Sequence, residues 1–305
     1  MKKILILFVC ILTAFVSSGQ QDAQFSQNMF NKLANNPGFA GSRGLIATSV
    51  LHRSQWMGFG EKGTPISTQN FSVDAELPFL FGGVGLNITK DKIAQYNNLG
   101  IQGSYAYRTE LGLGQIGMGM SVGVFQSGLD GTGLNAAETG DRAIPMSLVN
   151  GSKLDLGAGI YYNTQDVYVG ISSSHLSEPN VEWSNGQTYN LKRHYFLISG
   201  YYHQVNPLLS LNPSIYLKSD GATSQLDINT NLIYNNKMWT GVSYRLNEGV
   251  IVLAGMNVNE DLRFGVGYDL TLLNPLTNSF EVMLGYNFKV NTTKAISKHK
   301  NPRFL

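Results

Sequence analysis

Near its C-terminal end the chain reads Phe280-Glu281-Val282-Met283-Leu284-Gly285-Tyr286-Asn287-Phe288-Lys289-Val290. In an extended strand successive side chains point to opposite faces. Phe280, Val282, Leu284, Tyr286, Phe288 and Val290 therefore share one face, and Glu281, Met283, Gly285, Asn287 and Lys289 the other. The same period of two recurs upstream. Leu262, Phe264, Val266, Tyr268 and Leu270 oppose Arg263, Gly265, Gly267, Asp269 and Thr271, and Phe71, Val73, Ala75 and Leu77 oppose Asn70, Ser72, Asp74 and Glu76. Ile116, Met118, Met120, Val122 and Val124 alternate with Gly117, Gly119, Ser121, Gly123 and Phe125. A strand face in bulk water would carry dense charge, whereas these second faces carry Gly, Ser, Asn and Thr. A greasy outside joined to a small, polar inside predicts an all-β fold, a transmembrane antiparallel β-barrel of outer-membrane type.

Extending the pattern gives strands over 44–54, 66–77, 81–91, 97–110, 113–127, 152–163, 166–175, 194–205, 208–219, 224–235, 238–246, 249–259, 261–272 and 277–290. About fourteen strands result, an even number as single-chain bacterial barrels require. The stretches 81–91, 194–205 and 249–259 alternate poorly. The connections supply an independent check. The longest, 55–65, 128–151 and 176–193, all fall on one side, and the tight turns on the other, as expected of outer loops and periplasmic turns. Trp56, Phe79, Phe81, Trp183, Tyr189, Tyr234 and Trp239 lie near strand ends, where interfacial aromatic girdles belong.

The barrel spans 44–290 on this reading. Lys2 and Lys3, the apolar run Ile4 to Val16 and Ser17-Ser18-Gly19 form a secretory signal over residues 1–19, with cleavage after Gly19 or Gln20. The run is too short for a membrane-spanning helix, and Cys10 leaves with it, so the mature chain has no cysteine. Residues 20–43 read as a polar periplasmic segment, and 291–305 as a basic periplasmic tail carrying Lys294, Lys298, Lys300 and Arg303. Lys and Arg total 22 against 20 Asp and Glu, and removing Lys2 and Lys3 leaves the mature chain neutral. A nucleic-acid groove is excluded on that balance. Outer-membrane lipid is the expected surrounding medium.

Enzymatic chemistry finds no foothold in the sequence. The histidines His52, His175, His194, His203 and His299 show no i,i+4 pair or metal-ligand cluster, so neither metal nor other cofactor is expected. Asp130-Gly131-Thr132-Gly133 has no second copy to form an acid pair. The Gly-rich stretches lack the helix and lysine of a phosphate loop and read as close packing or lumen clearance. Charges expected inside are Asp74, Glu76, Arg108, Asp155, Lys218, Asp227, Arg263, Asp269, Glu281 and Lys289. Both signs occur, which favours a closed or plugged interior over a solute path.

The segment Gln21-Asp22-Ala23-Gln24-Phe25-Ser26-Gln27-Asn28-Met29-Phe30-Asn31, followed by Asn35-Asn36-Pro37-Gly38-Phe39-Ala40-Gly41-Ser42, resembles the opening of the PorP/SprF family. Those outer-membrane proteins are associated with type IX secretion and gliding motility in Bacteroidetes-type bacteria. Asn28 departs from the aromatic residue usual at its position. The resemblance continues through Ser174-His175-Leu176-Ser177-Glu178-Pro179 to the terminal Pro302-Arg303-Phe304-Leu305. It implies a non-enzymatic component or accessory of type IX secretion that supports export or surface anchoring of a secreted adhesin. Its implied partners are periplasmic components of the apparatus and an adhesin C-terminal domain. A diffusion porin and a structural anchor for a periplasmic ring are the competing readings.

Gln24, Phe25, Ser26, Gln27, Met29, Phe30, Asn31, Asn36, Pro37, Phe39, Ala40 and Gly41, with Pro302, Arg303 and Phe304 at the far end, are the candidate partner-binding residues. Docking on the periplasmic rim and plugging of the chain's own barrel are both open to the lead segment at this point. Mass spectrometry of the outer-membrane protein should find the mature N-terminus at Gln20 or Gln21. A chain retaining the apolar run would contradict the signal assignment.

Overall fold

A computed structural model describes residues 22–58, 66–134, 144–273 and 276–288. The expected signal, the tail 291–305 and Lys289 lie outside the described residues. Strands β1 (Ile46–Gln55), β2 (Ile66–Leu77), β3 (Gly82–Ile93), β4 (Tyr96–Leu111), β5 (Gly114–Asp130), β6 (Leu148–Asn163) and β7 (Val167–Ser174) form an antiparallel meander. The next connection carries a small hairpin, β8 (Asn180–Glu182) with β9 (Thr188–Asn190). β10 (His194–Tyr201) and β11 (His203–Asn206) are two halves of one stave interrupted at Tyr202, because both pair with β12 (Leu209–Ser219). β13 (Ser224–Tyr234), β14 (Met238–Arg245), β15 (Gly249–Asn257), β16 (Leu262–Thr271) and β17 (Ser279–Phe288) complete the wall.

β17 closes on β1, with Ile46 opposite Phe288 and Arg53 opposite Glu281. The result is a barrel of fourteen antiparallel staves. Closure removes every unpaired sheet edge, the condition for strands to stand in lipid. Among the described residues no helix is long and apolar enough to cross a membrane. The outward face carries Val122, Leu154, Ile171, Ile228, Val242, Val252 and Leu284, all exposed to the lipid side. The inward face carries Arg53, Asn70, Ser72, Asp155, Asp227, Ser243, Asp269 and Glu281, all buried.

β1 enters and β17 leaves at one rim, where the turns 78–81, 112–113, 164–166, 207–208, 235–237 and 258–261 are tight. This short-turn rim is the periplasmic one in bacterial barrels. β1, β5 and β7 end, and β2, β6 and β10 begin, at the opposite, long-loop rim. There β5 and β6 run on past the end of β7, whose pairing with β6 stops at Ala158 opposite Ser173, and the β8–β9 hairpin packs on them through Val181, Trp183 and Leu191 against Leu129 and Val149. The hairpin thereby roofs part of the lumen.

Phe79, Phe81 and Tyr234 project outward at the short-turn rim as girdle residues should. Trp183 and Trp239 do not. Trp183 is buried in the roof, and Trp239 turns into the lumen, where Gly255 and Gly265 leave room for its indole. Position near a strand end did not tell outward from inward, since that depends on register. A Val242→Arg substitution puts a cation on the lipid face midway along β14 and should cost about 2–4 kcal/mol. Reversible denaturant unfolding in lipid vesicles measures it, and an unchanged midpoint would contradict lipid contact there.

Candidate functional site

The lumen is threaded by the lead. Residues 22–43 lie inside the barrel rather than in the periplasm, running from the long-loop rim at Asp22 down to the short-turn rim at Gly41, where the chain enters β1. The described N-terminal end therefore sits at the face opposite the barrel's own entry point. Gln27, Asn31, Asn36 and Ala40 are almost wholly buried, as are Phe25, Ser26, Met29, Leu33 and Phe39.

The densest contact lies at residues 25–28, which lead into a tight turn with Phe30 N–H bonded to the Gln27 carbonyl at 3.0 Å. On the wall, the guanidinium of Arg53 meets Asp269 at 2.7 Å and Glu281 at 3.6 Å. Arg245 meets Asp227 at 3.1 Å and Asp269 at 3.0 Å. Two cations thus face three buried carboxylates, and the plug supplies the missing donors. Glu281 accepts from Ser26 N–H at 2.7 Å and Gln27 N–H at 2.8 Å. The Ser26 hydroxyl donates to Asp269 at 2.7 Å and accepts from Arg53. Asn28 Nδ2 points to Asp227 Oδ2 at 3.4 Å, which gives its departure from the family's aromatic residue a local reason. Hydrogen bonds to buried ions are the strong ones, and a buried charge stripped of them is costly.

Apolar contacts flank this network. Met29 packs with Trp239, Ile251, Leu253 and Met283, and Phe30 lies over Trp239 with ring centroids 4.5 Å apart. Lys32 places its ammonium 3.4 Å from the ring centroid of Tyr168, a cation–π contact. Asn31 donates to Asn70 at 2.9 Å, which donates onward to Asn87 at 2.8 Å.

Lower down, Asn36-Pro37-Gly38 forms a turn pressed onto the wall. Asn36 Oδ1 accepts from Gly38 N–H at 2.8 Å while its Nδ2 donates to the Ile160 carbonyl at 3.0 Å. A side chain at Gly119 would collide with the Pro37 carbonyl, and one at Gly83 with Ala40 and Gly41. The wall is glycine there because the plug's backbone comes that close. Arg43 pairs with Asp74, which also accepts from Gly41 N–H at 3.1 Å, at the point of exit.

All twelve candidates from the lead therefore meet at one place, the lumen, where their side chains and backbone contact the barrel itself. Pro302, Arg303 and Phe304 lie outside the described residues. Of the expected interior charges, Asp74, Asp155, Lys218, Asp227, Asp269 and Glu281 are buried inside, whereas Glu76 is exposed at the short-turn rim. Arg53 and Arg245, both buried to the last percent, escaped the sequence reading. Each ends an alternating strand at the inward parity, which was the available signal.

A second group absent from that reading sits at the plug's N-terminal end. His194 pairs with Ser174 across β10 and β7, and this register sets His175 and His194 on either side of Asp22. His175 Nδ1 lies 2.9 Å from Asp155 Oδ1 and its Nε2 3.7 Å from Asp22 Oδ2. Burial alone would strip the proton from this ring, but its bonds to Asp155 and Asp22 outweigh it and hold its pKa up to about 10. His175 and His194 stand nineteen positions apart in the sequence, and the β7–β10 pairing brings them together. Asp130, by contrast, merely caps the turn after β5 through Thr132 N–H at 3.1 Å.

Closed staves, a lipid-facing apolar belt and a polar lumen stoppered by the chain's own lead define an outer-membrane β-barrel with an internal plug. The sequence model of the family described as type IX secretion system membrane protein PorP/SprF matches residues 17–286, and the chain belongs to that family. Its place is the bacterial outer membrane, and its family is one of secretion-system membrane proteins rather than enzymes. Among solved structures it is similar to the Ralstonia pickettii toluene transporter TbuX, with TM-score 0.50 and 12% identity over 83% of this chain and 92% of that one. The Pseudomonas putida toluene transporter TodX gives TM-score 0.47 and 10% identity over 88% and 94%. Acinetobacter baumannii Omp33 gives 0.43 and 9% over 80% and 99%. The likeness to TbuX shows the fold. No curated protein matches the sequence.

Replacing Arg53 by Met leaves Glu281 and Asp269 short of a counter-charge, and should cost about 3–5 kcal/mol. Trypsin should then reach Lys32 in the folded barrel, and Arg53→Met combined with Glu281→Gln should recover much of the loss. An Arg53→Met protein with unchanged unfolding midpoint and a protected lead would contradict the network's role.

Proposed function

We propose that this barrel supports export or surface anchoring of a secreted adhesin by the type IX apparatus, acting as a docking scaffold rather than as a conduit. One observation carries the reading. The lumen is occupied from rim to rim by residues 22–43, tied by charge at Asp269, Glu281 and Asp74, so a solute path through it would first have to displace a bonded segment. What remains for partners is the rims. The exposed turns of the short-turn rim, with Phe79 and Phe81 beside them, face the compartment where periplasmic components stand, and the roof hairpin faces the surface where an adhesin would be held. Recognition through the lead's own motif requires that segment to leave the lumen, so it belongs to an opened state of the protein.

Deleting the gene in its native bacterium should leave adhesin trapped in the cell with small-solute uptake unchanged, and the purified protein should give no large, steady conductance in a planar bilayer. Normal adhesin display together with impaired uptake, or a large steady conductance of the wild-type barrel, would overturn the reading in favour of a porin.

A further inference from the structure

One ligand atom from each of Asp22, His175 and His194 lies within 4.8 Å of the other two. The chemistry around them is that of a prepared site. His175 Nδ1 faces Asp155 Oδ1 at 2.9 Å, and His194 Nδ1 faces the Lys192 carbonyl at 3.0 Å. Those acceptors fix both rings with Nε2 turned inward, the arrangement in which outer partners orient metal-binding imidazoles. His175 Nε2 stands 3.7 Å from Asp22 Oδ2, and His194 Nε2 accepts from Asp22 N–H at 3.2 Å, a lone pair an ion would take over. The Ser174 hydroxyl donates to Asp22 Oδ2 at 3.1 Å and steadies the carboxylate.

A cavity of about 80 Å³ adjoins the group, lined by Asp91, Gln102, Phe125 and Tyr189 among others. It holds room for a water beside the three protein ligands. Asp22, Asp155 and Asp91 lie around the cluster against two lysines: Lys218 spends its ammonium on the Asp22 main-chain carbonyl at 3.0 Å, and Lys192 stands exposed at the cavity's edge. Metal–nitrogen bonds of about 2.0–2.1 Å set ligand atoms roughly 3.3 Å apart in a tetrahedron, a contraction that small side-chain rotations supply.

We propose that Asp22, His175 and His194 bind a divalent transition metal, with zinc the best match to two imidazoles and one carboxylate, the ion displacing the Nε2 proton of His175 to solvent and a cavity water completing the shell. Since Asp22 belongs to the plug and the histidines flank the β7–β10 pairing, the ion fastens the head of the plug to the wall. Binding then favours the plugged state by mass action. The site stands independently of the secretion reading, because its test reads metal and not export.

Full-length mature protein, purified in detergent and stripped with a chelator, is titrated with Zn²⁺ by calorimetry and with Co²⁺ by absorption spectroscopy. One zinc per chain and the intense visible bands of tetrahedral cobalt are expected. Asp155→Asn should weaken binding about 10–100-fold. His194→Gln and Asp22→Asn should abolish the cobalt bands while heat-modifiable gel mobility still reports a folded barrel. Asp22 lies outside every strand, so its variant keeps the test decisive should the histidine variant fold poorly. No zinc uptake by the wild type, or undiminished uptake by Asp22→Asn, would overturn the proposal, the latter assigning the ion to surface ligands.

Discussion

Inside the barrel Asp269 is shared between Arg53 and Arg245, at 2.7 and 3.0 Å, and Glu281 is left with more negative charge than its single distant guanidinium neutralises. Burying such a set in a low-dielectric wall is unfavourable unless each oxygen is bonded. The two main-chain N–H groups and one hydroxyl offered by Ser26 and Gln27 complete it. The dependence runs both ways, since the segment 25–28 has no reason to sit where it does without Glu281 to receive its donors. Wall and plug are therefore one cooperative unit, and the path of the lead through the lumen follows from where these charges stand.

The remainder of the plug is fitted to the wall by removal as much as by addition. Gly119 and Gly83 admit the backbone at Pro37 and Ala40, and Gly255 and Gly265 admit Trp239, which in turn supports Phe30. Ile251 and Leu253 then give the inner face a greasy patch for Met29. A water-filled channel would have little use for either the clearance or the patch, since each presents apolar or backbone surface to the lumen.

These contacts explain what was legible in the sequence. The strands at 262–271 and 279–288 alternate cleanly because lipid covers one face and polar groups the other, and their positions emerged from period alone. In the stretches that alternated poorly, the residues facing the plug are glycines or apolar side chains rather than polar ones. β3 is thinned to glycine for Ala40 and Leu33, β10 turns Phe196 and Ile198 inward to the apolar cluster around Leu33 and Phe39, and β15 is apolar on both sides. Period-two reasoning assumes one greasy face, and an internal plug breaks the assumption. The lead's direction was hidden for a related reason. Phe25, Met29 and Phe30 marked it as an ordered, docked segment, but nothing local told a rim from a lumen. The meeting of Asp22 with His175 and His194 depends on strand register over long separations, which composition and spacing do not carry.

Every one of these contacts requires the lead to be seated inside the wall of the folded protein in its membrane. Asn31 and Ser72 face each other at 3.5 Å across that contact, and the only native cysteine, Cys10, lies in the expected signal. Cells producing the Asn31→Cys, Ser72→Cys protein should therefore show a disulfide between lead and barrel in the isolated outer membrane, with both thiols closed to a water-soluble maleimide. A folded barrel in which both cysteines remain unbridged and react with the maleimide would contradict it.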